Sequence, residues 1–253
     1  LTADDAAAND KFGCSVAIAN NTAIVGANRD DDGGADSGSA YIFARDESGG
    51  GWSQVVKLTA YDAAADYEFG KGVSIDRGTI GIMSNNNFYI YEDSCSMIEP
   101  VIPIIPVTTT TPCVSEYISS TINFDSSISE ISEISDFSSV SVSGNIAIVG
   151  ENSFNSNQGQ AHIFEKQADD NRWVQVAQLT ADDAAAQHRF GYSVAIANNA
   201  AIVGAYGNND QGDSSGSAYI FARDESGGGW SQVAKLTADD AASGDRFGWS
   251  VAI

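Results

Sequence analysis

A seven-residue pattern, Leu-Thr-Ala-x-Asp-Ala-Ala, recurs four times along the 253-residue chain and restricts the folds that the chain can adopt. The copies begin at Leu1, Leu58, Leu179 and Leu236. The first two copies and the last two are each 57 residues apart, and the middle interval is about twice as long. Segments 38–60 and 216–238 differ only where Val56 is replaced by Ala234. Self-similarity at such a period is typical of repeat architectures, so the sequence predicts about four units and part of a fifth.

Each unit reads as four short strands. In the first unit these strands are Phe12–Ile18, Thr22–Ala27, Gly38–Arg45 and Trp52–Thr59. β-branched and aromatic residues fill the strands, and Gly, Asn and Asp separate them. No segment combines a sustained 3.6-residue period with helix caps, so few helices are expected. Four antiparallel strands per unit, repeated around an axis, describe the blades of an all-β propeller.

Paired dipeptides connect these units to a known family. Phe12-Gly13 is followed by Gly26-Ala27, and Phe190-Gly191 by Gly204-Ala205. This pairing resembles the FG-GAP repeat of integrin α-like β-propellers. Physically, Phe is expected to wedge between neighbouring blades, and Gly to allow close backbone approach.

The chain departs from the family pattern at several points. Asn28 and Tyr206 stand where the family has Pro, and the third unit has Phe137-Ser138 in place of Phe-Gly. The D-x-D-x-D-G calcium loop of integrins, between strands 1 and 2, is also absent, since only Ala19-Asn20-Asn21 and its counterpart occupy that place. The family's usual metal site is therefore not transferred to this chain.

The resemblance implies a ring of seven blades, which would need about 400 residues. We therefore interpret the chain as a fragment of a larger propeller, with neighbouring blades or a second chain needed to close the ring. The expected blades are 1–57, 58–120, 121–178 and 179–235, followed by a partial blade 236–253 that ends in a first strand, Phe247–Ile253.

A Pro- and Thr-rich insert, 94–113, interrupts the second unit. All four prolines lie between Cys95 and Cys113, so the segment reads as an extended loop. A Cys95–Cys113 disulfide would tether this loop and would imply an oxidising compartment; two unpaired thiols are the alternative. Cys14, in the inner strand of the first unit, is expected to pack as a free thiol.

Acidic residues outnumber basic ones by 34 to 12, giving a formal charge of −22. A nucleic-acid partner is therefore not expected, because such proteins need clustered Lys and Arg. No apolar run approaches the length of a membrane helix, so membrane insertion is not expected either. In an up-and-down blade the 2–3 and 4–1 loops share one face, and most of the acidic residues fall on them. Among the loop residues, only four bases oppose them: Lys11, Arg29, Arg189 and Arg246.

The 2–3 loops contain candidate cation ligands. Asp30, Asp32 and Asp36 have the spacing of an oxygen-ligand loop with Gly for the turn, and Asp210 and Asp213 form a poorer counterpart. Carboxylates on a turning loop suit Ca²⁺, which makes calcium a candidate cofactor. The alternative is a solvated turn whose Asp and Asn side chains cap the local backbone.

Catalysis has little support, so the chain is not expected to be an enzyme. His162 and His188 are the only histidines, and no G-x-S-x-G, H-E-x-x-H or P-loop motif is present. Asn20-Asn21-Thr22 is an N-glycosylation sequon, with Asn20 as the acceptor.

Resemblance and charge placement together predict an extracellular or cell-surface recognition and adhesion module. It would bind protein or glycan through the acidic face, with calcium as a candidate requirement. A structural scaffold of an envelope or matrix, without a specific ligand, is one alternative; the non-catalytic part of a larger hydrolase or lyase is another. Fold alone does not decide between these functions.

Overall fold

The computed structural model of the chain describes residues 1–46, 51–85, 87–93, 117–122, 137–169, 172–224 and 228–253. These residues form sixteen strands and one short helical turn. The insert 94–113, with the proposed Cys95–Cys113 pair, lies outside the described residues. Within them, no helix has the length and apolar character needed to cross a membrane.

The strands form four separate four-stranded sheets, which we call blades 1 to 4. Blade 1 contains β1 (Phe12–Ala19), β2 (Thr22–Ala27), β3 (Ser39–Arg45) and β4 (Trp52–Leu58). Blade 2 contains β5 (Gly72–Asp76), β6 (Thr79–Met83), β7 (Phe88–Asp93) and β8 (Tyr117–Ile122). Blade 3 contains β9 (Ser139–Ser143), β10 (Ile146–Glu151), β11 (Gln160–Lys166) and β12 (Trp173–Leu179), with α1 (Phe154–Asn157) between β10 and β11. Blade 4 contains β13 (Ser193–Ala197), β14 (Ala200–Ala205), β15 (Ser217–Arg223) and β16 (Trp230–Leu236).

Every blade is an antiparallel meander in which each strand pairs with the next along the chain. The predicted all-β propeller class is thereby confirmed. The two outer strands of blades 1, 3 and 4 share a register shift at the same place, between Ile42 and Phe43 in blade 1. One extra residue on the outer strand bends it and increases its twist. The short α1 turn is not a regular helix, because Asn155 and Ser156 have positive φ.

The Phe-Gly pairs at 69–70, 190–191 and 247–248 each form the seam with the preceding blade. Phe69 is fully buried in a core cluster that includes Ile24 and Ile42 of blade 1 and Tyr89 of blade 2. Phe190 occupies the same place between blades 3 and 4. The predicted wedge is confirmed, and the principal apolar clusters lie between blades.

Glycine is required where two blades meet backbone to backbone. A Cβ on Gly26 would lie 1.9 Å from the carbonyl oxygen of Gly70, and one on Gly150 would lie 1.9 Å from that of Gly191. Ser15 in blade 1 donates a hydrogen bond to the Gly70 carbonyl at 2.6 Å, which fastens the same contact. The Gly of Gly-Ala and the Gly of the next Phe-Gly are therefore two halves of one joint.

The face of blade 1 that precedes β1 is uncovered among the described residues. Val16 is 68% exposed, whereas Val194, at the same position of blade 4, is 5% exposed because blade 3 covers it. Cys14 shares this exposed face and is a free thiol. The expectation that Cys14 packs was therefore wrong, because among the described residues no blade covers this face of β1.

The prediction of a last strand, Phe247–Ile253, was also wrong. Phe247 forms one bridge with Gly216, and no strand is assigned over 247–253. A strand needs a continuous hydrogen-bonded neighbour, which this segment lacks among the described residues. Its Phe-Gly pair nevertheless docks on blade 4, where a Cβ on Gly204 would lie 2.0 Å from the Gly248 carbonyl oxygen.

Candidate functional site

The 2–3 loops of blades 1, 3 and 4 are each joined to the following 4–1 loop by backbone hydrogen bonds. Between blades 1 and 2, Asp66 N donates to Ala35 O at 2.8 Å and Glu68 N donates to Asp36 O at 3.0 Å. The same ladder recurs beyond blades 3 and 4, for example from Arg246 N to Ser214 O at 3.0 Å. These loops therefore lie together on one side of the molecule, which we call the acidic face. The hydrogen bonds between neighbouring loops fix the positions of these loops relative to one another.

Lys57 lies at the centre of a carboxylate cluster on this face. Its ammonium donates to Asp5 at 2.6 Å, to Asp30 at 3.0 Å and to Asp32 at 2.5 Å. Asp30 also accepts a hydrogen bond from the Tyr41 hydroxyl at 2.8 Å. An ammonium has three N–H donors, so all three are used. We call Lys57, Asp5, Asp30, Asp32 and Tyr41 the Lys57 cluster.

Electrostatics in the Lys57 cluster favour the charged states of Asp5, Asp30 and Lys57. Burial acts to raise the pKa of Asp30, but hydrogen bonds from Lys57 and Tyr41 outweigh it and hold that pKa below the ordinary value. The hydrogen bond from Lys57 lowers the pKa of Asp5. Burial acts to lower the pKa of Lys57, but its three carboxylate partners raise it above its usual range. The ammonium is therefore the built-in cation of this cluster at neutral pH.

Blade 4 repeats the arrangement with one charge fewer. Lys235 donates to the carboxylates of Asp183 and Asp210, and the Tyr219 hydroxyl donates to Asp183 at 2.8 Å. Asn208 replaces Asp30 and donates to the Tyr219 oxygen at 3.1 Å. We call these five residues the Lys235 cluster.

The other two blades fill the same place without a lysine. In blade 2 the Tyr89 hydroxyl donates to Asp62 at 2.7 Å. In blade 3 His162 replaces the tyrosine, and its Nε2 lies 3.3 Å from a carboxylate oxygen of the buried Glu151. Gln160 donates to that same oxygen at 2.6 Å. A polar node thus recurs at this position in every blade, and in blades 1 and 4 it contains an ammonium.

The five predicted cation ligands do not come together in one place. Asp30 and Asp32 meet at Lys57, and Asp210 lies at Lys235. Asp36 lies near Arg29, at 4.0 Å from its Nε, and Asp213 accepts a hydrogen bond from Ser243 through its backbone oxygen.

Calcium requires six to eight oxygen ligands around one point. The three carboxylates of Asp5, Asp30 and Asp32 lie within 4.8 Å of one another, but Lys57 donates to each of them. With Lys57 in place, these residues do not fit a calcium ion.

Loop sequence alone missed the two lysines, which come from strands rather than loops. Lys57 and Lys235 are opposite Tyr41 and Tyr219 in the ladder, one residue before the end of the outer strand. The long lysine stem carries each ammonium into the acidic face. The count of opposing bases on that face must therefore include them. The signal was available, because Tyr and Lys recur at identical positions of segments 38–60 and 216–238.

The predicted glycosylation acceptor lies away from these clusters. Asn20 is exposed in the turn between β1 and β2, with a φ of 53°. The turn belongs to the opposite side of the blade, so a glycan at Asn20 would not cover the acidic face.

Four-stranded blades joined by Phe-Gly seams, with a hydrogen-bonded loop face, define a repeat β-propeller. The sequence profile of the FG-GAP repeat matches residues 1–43, 52–82, 173–221 and 230–253. These ranges cover more than half of the chain, and the chain belongs to the FG-GAP repeat family. FG-GAP repeats are typical of extracellular domains.

Curated proteins include no sequence match to this chain. Among solved structures, Sqt1 from Saccharomyces cerevisiae is 9% identical, with a TM-score of 0.44, over 90% of this chain and 49% of its own. A protein from Lactobacillus plantarum is 13% identical, with a TM-score of 0.49, over 89% of this chain and 56% of its own. The chain thus spans about half the length of these two structures.

Proposed function

We propose that this chain is a non-catalytic recognition module of an extracellular or cell-surface protein, and that it binds protein or glycan through the acidic face. The observation that carries the proposal is the construction of that face. Its loops are cross-linked by backbone hydrogen bonds, so the surface is preorganised. Preorganisation reduces the entropy lost on binding.

Charge supports the same surface. Lys57 and Lys235 together contact only five carboxylates, and exposed acids such as Asp213, Asp239 and Asp240 have no lysine or arginine within 4.0 Å among the described residues. Their field would speed the approach of basic partners. A scaffold without a ligand needs solubility, but it does not need the acids gathered on one framed face.

The test compares two triple variants of equal charge change. One variant changes Asp213, Asp239 and Asp240 to Asn on the acidic face. The control changes Asp46, Asp169 and Asp224 to Asn in loops between strands 3 and 4, on the opposite side. Each protein is applied to a printed array of defined oligosaccharides and to immobilised collagen, fibronectin and laminin.

We expect saturable binding to at least one immobilised probe, an affinity changed more than threefold in the acidic-face variant, and an affinity within twofold of wild type in the control. An equal change in both variants, or no saturable binding to any probe, would favour the structural scaffold. Far-UV circular dichroism of all three proteins checks that the fold is retained.

Calcium enters as a separate proposal. We propose that a divalent cation binds the Asp5, Asp30 and Asp32 carboxylates only when Lys57 is removed, because the ammonium and the cation compete for the same oxygens. Titration calorimetry with millimolar Ca²⁺ should then give heat with Lys57→Met and none with the wild type. Equal heats for both proteins would contradict this competition.

A further inference from the structure

Three aromatic rings and two arginines meet at the seam after blade 4, apart from the lysine clusters. Tyr192 lies 4.5 Å from Tyr206 and 4.7 Å from Trp249, and Tyr206 lies 4.7 Å from Trp249, measured between ring centroids. Each ring therefore contacts the other two. Trp249 is 45% exposed, and the two tyrosines are half-buried.

Both arginines lie over this group of rings. The guanidinium carbon of Arg189 is 5.6 Å from the Tyr206 centroid. That of Arg246 is 5.8 Å from Tyr206 and 5.3 Å from Trp249. We call these five residues the aromatic–arginine cluster. Cation–π contacts hold a guanidinium through its face, which leaves its N–H edge available to a planar anion.

These two arginines lack a carboxylate partner in the part of the chain that the structure describes. Among the described residues, neither Arg189 nor Arg246 has an acidic oxygen within 4.0 Å. This is unexpected in a chain with a formal charge of −22, where Lys57 and Lys235 are each surrounded by carboxylates. The cluster is therefore a small cationic and aromatic island on an acidic face.

The island is specific to one seam. At the equivalent seam between blades 1 and 2, the three ring positions are occupied by Cys14, Asn28 and Lys71, and Arg246 is replaced by Glu68. Blades 1 and 4 otherwise share nearly identical strands. The repeat fold therefore does not require these rings, and their assembly needs another reason.

Aromatic faces and guanidinium edges select a recognisable ligand chemistry. The C–H bonds on one side of a pyranose ring are attracted to the negative face of Trp or Tyr. A guanidinium binds a carboxylate through two parallel N–H donors. Trp, Tyr and Arg are also the residues that most often dominate binding energies.

We propose that the aromatic–arginine cluster binds one carboxylate-bearing sugar, a uronic or sialic acid, at the end of a glycan chain. This inference rests on the proposed recognition function and assigns it a ligand class. The ring of the sugar stacks on Trp249, and its carboxylate pairs with Arg246. Acidic loops around the island, including Asp213 and Asp245, repel further negative charge, so densely sulfated chains are poor ligands.

The experiment titrates the folded chain with methyl β-D-glucuronide and with 3′-sialyllactose, using tryptophan fluorescence and calorimetry. Lactose is the neutral control, and a heparin hexasaccharide is the polyanionic control. We expect binding to at least one acidic sugar that is at least tenfold tighter than to lactose. Heparin should bind more weakly than that sugar, and its binding should strengthen with salt as repulsion is screened.

Variants connect that binding to the cluster. Arg246→Gln should weaken acidic-sugar binding by about tenfold or more, as expected for loss of a hydrogen bond to a charged group. Trp249→Ala removes the ring on which the sugar stacks and should also weaken binding by about tenfold. Lys11→Gln is the matched control, because Lys11 occupies the position of Arg246 at an exposed corner without aromatic rings. Its affinity should stay within twofold of wild type. Trp249→Phe should keep part of the affinity.

Several results would overturn the inference: no saturable binding of either acidic sugar at 20 mM, affinity for lactose equal to that for the acids, tighter binding of heparin, or unchanged affinity in Trp249→Ala. The array of the preceding section separates the two proposals. If the acidic sugars fail here while another probe binds and responds to the acidic-face variant, only this inference is wrong. If no array probe binds either, the recognition function itself is wrong.

Discussion

Replacing Lys57 by Met removes the only cation of a cluster that contains a buried carboxylate. The Asp30 side chain is 5% exposed, and after the change it keeps the hydrogen bonds from Tyr41, Ser39 and the backbone N–H of Asp32 but has no cation partner in the cluster. Loss of a hydrogen bond to a buried charged group costs roughly 1.5–3 kcal/mol. The pairs with Asp5 and Asp32 are more exposed, and each adds about 0–1 kcal/mol. We therefore expect Lys57→Met to lower the free energy of unfolding by about 3 kcal/mol.

The matched change in blade 4 is Lys235→Met. Its carboxylate partners, Asp183 and Asp210, are both exposed by more than a third, and neutral Asn208 stands where blade 1 has Asp30. Only the two exposed pairs are lost, so the expected cost is about 1 kcal/mol. The two lysines occupy identical ladder positions, and the difference therefore isolates the buried carboxylate.

Urea unfolding followed by circular dichroism measures both free energies, and thermal melting provides a second measure. At roughly 2–4 °C per kcal/mol for a chain of this size, Lys57→Met should lower Tm by about 6–12 °C and Lys235→Met by about 2–4 °C. Adding Asp30→Asn to Lys57→Met should restore part of the loss, because it removes the uncompensated buried charge. Equal losses for the two lysine variants, or further destabilisation by Asp30→Asn, would refute the reasoning.

Three further predictions concern the seams, pH and glycosylation. Gly26→Ala should lower the free energy of unfolding by more than about 3 kcal/mol, because its Cβ would lie 1.9 Å from the Gly70 carbonyl oxygen. Gly51→Ala should leave that free energy nearly unchanged in the same urea assay, since nothing lies within 4 Å of its Cβ. The pKa of Asp30 is lower in the folded protein than in the unfolded chain, so ionised Asp30 stabilises the fold above the unfolded Asp pKa of about 3.9. This stabilisation is lost as the pH falls through the folded pKa. Acid titration should therefore lower the free energy of unfolding more in the wild type than in Lys57→Met. Secretion from a eukaryotic host should add one glycan that Asn20→Gln removes, measured by intact mass; an unmodified mass would show that this turn is not used.

Much of the fold could be predicted because the residues that form the seams occur in short, recognisable sequence motifs. A Phe-Gly pair and a following Gly-Ala pair appear in order in the chain. Each glycine is needed where two backbones approach closely, and each buried Phe fills the space between two blades. The alternating pattern of β1 to β4 likewise follows from the two-residue period of a strand. Where prediction was wrong, at Cys14 and at Phe247–Ile253, the local pattern was the same as in other blades but the neighbour that completes the structure was missing among the described residues.

The sites were harder to predict because their residues come from distant positions and from strand ends. Asp5, Asp30 and Lys57 lie on three different connections or strands, and only the ladder register and the length of the lysine stem bring them together. Spacing of Asp30, Asp32 and Asp36 suggested a cation loop, but spacing alone could not show that Asp36 lies near Arg29. A sequence pattern reports which ligand atoms are available, whereas the packed lysine determines which of them are free.

The contrast between the clusters shows how one repeat can carry different chemistry at equivalent positions. One position of the third strand is Tyr in blades 1, 2 and 4 and His162 in blade 3. The residue paired with it on the outer strand is Lys57 in blade 1, Lys235 in blade 4 and Gln178 in blade 3. Strand geometry is unaffected, because these side chains point out of the ladder. The same freedom allows the seam after blade 4 to hold Trp249 where the seam between blades 1 and 2 has Lys71. Since the Phe-Gly joints, the apolar clusters and the backbone ladders keep the blades together, the side chains of the loop face can change their charge and ring content with little cost to the fold, and binding specificity is expected to reside there.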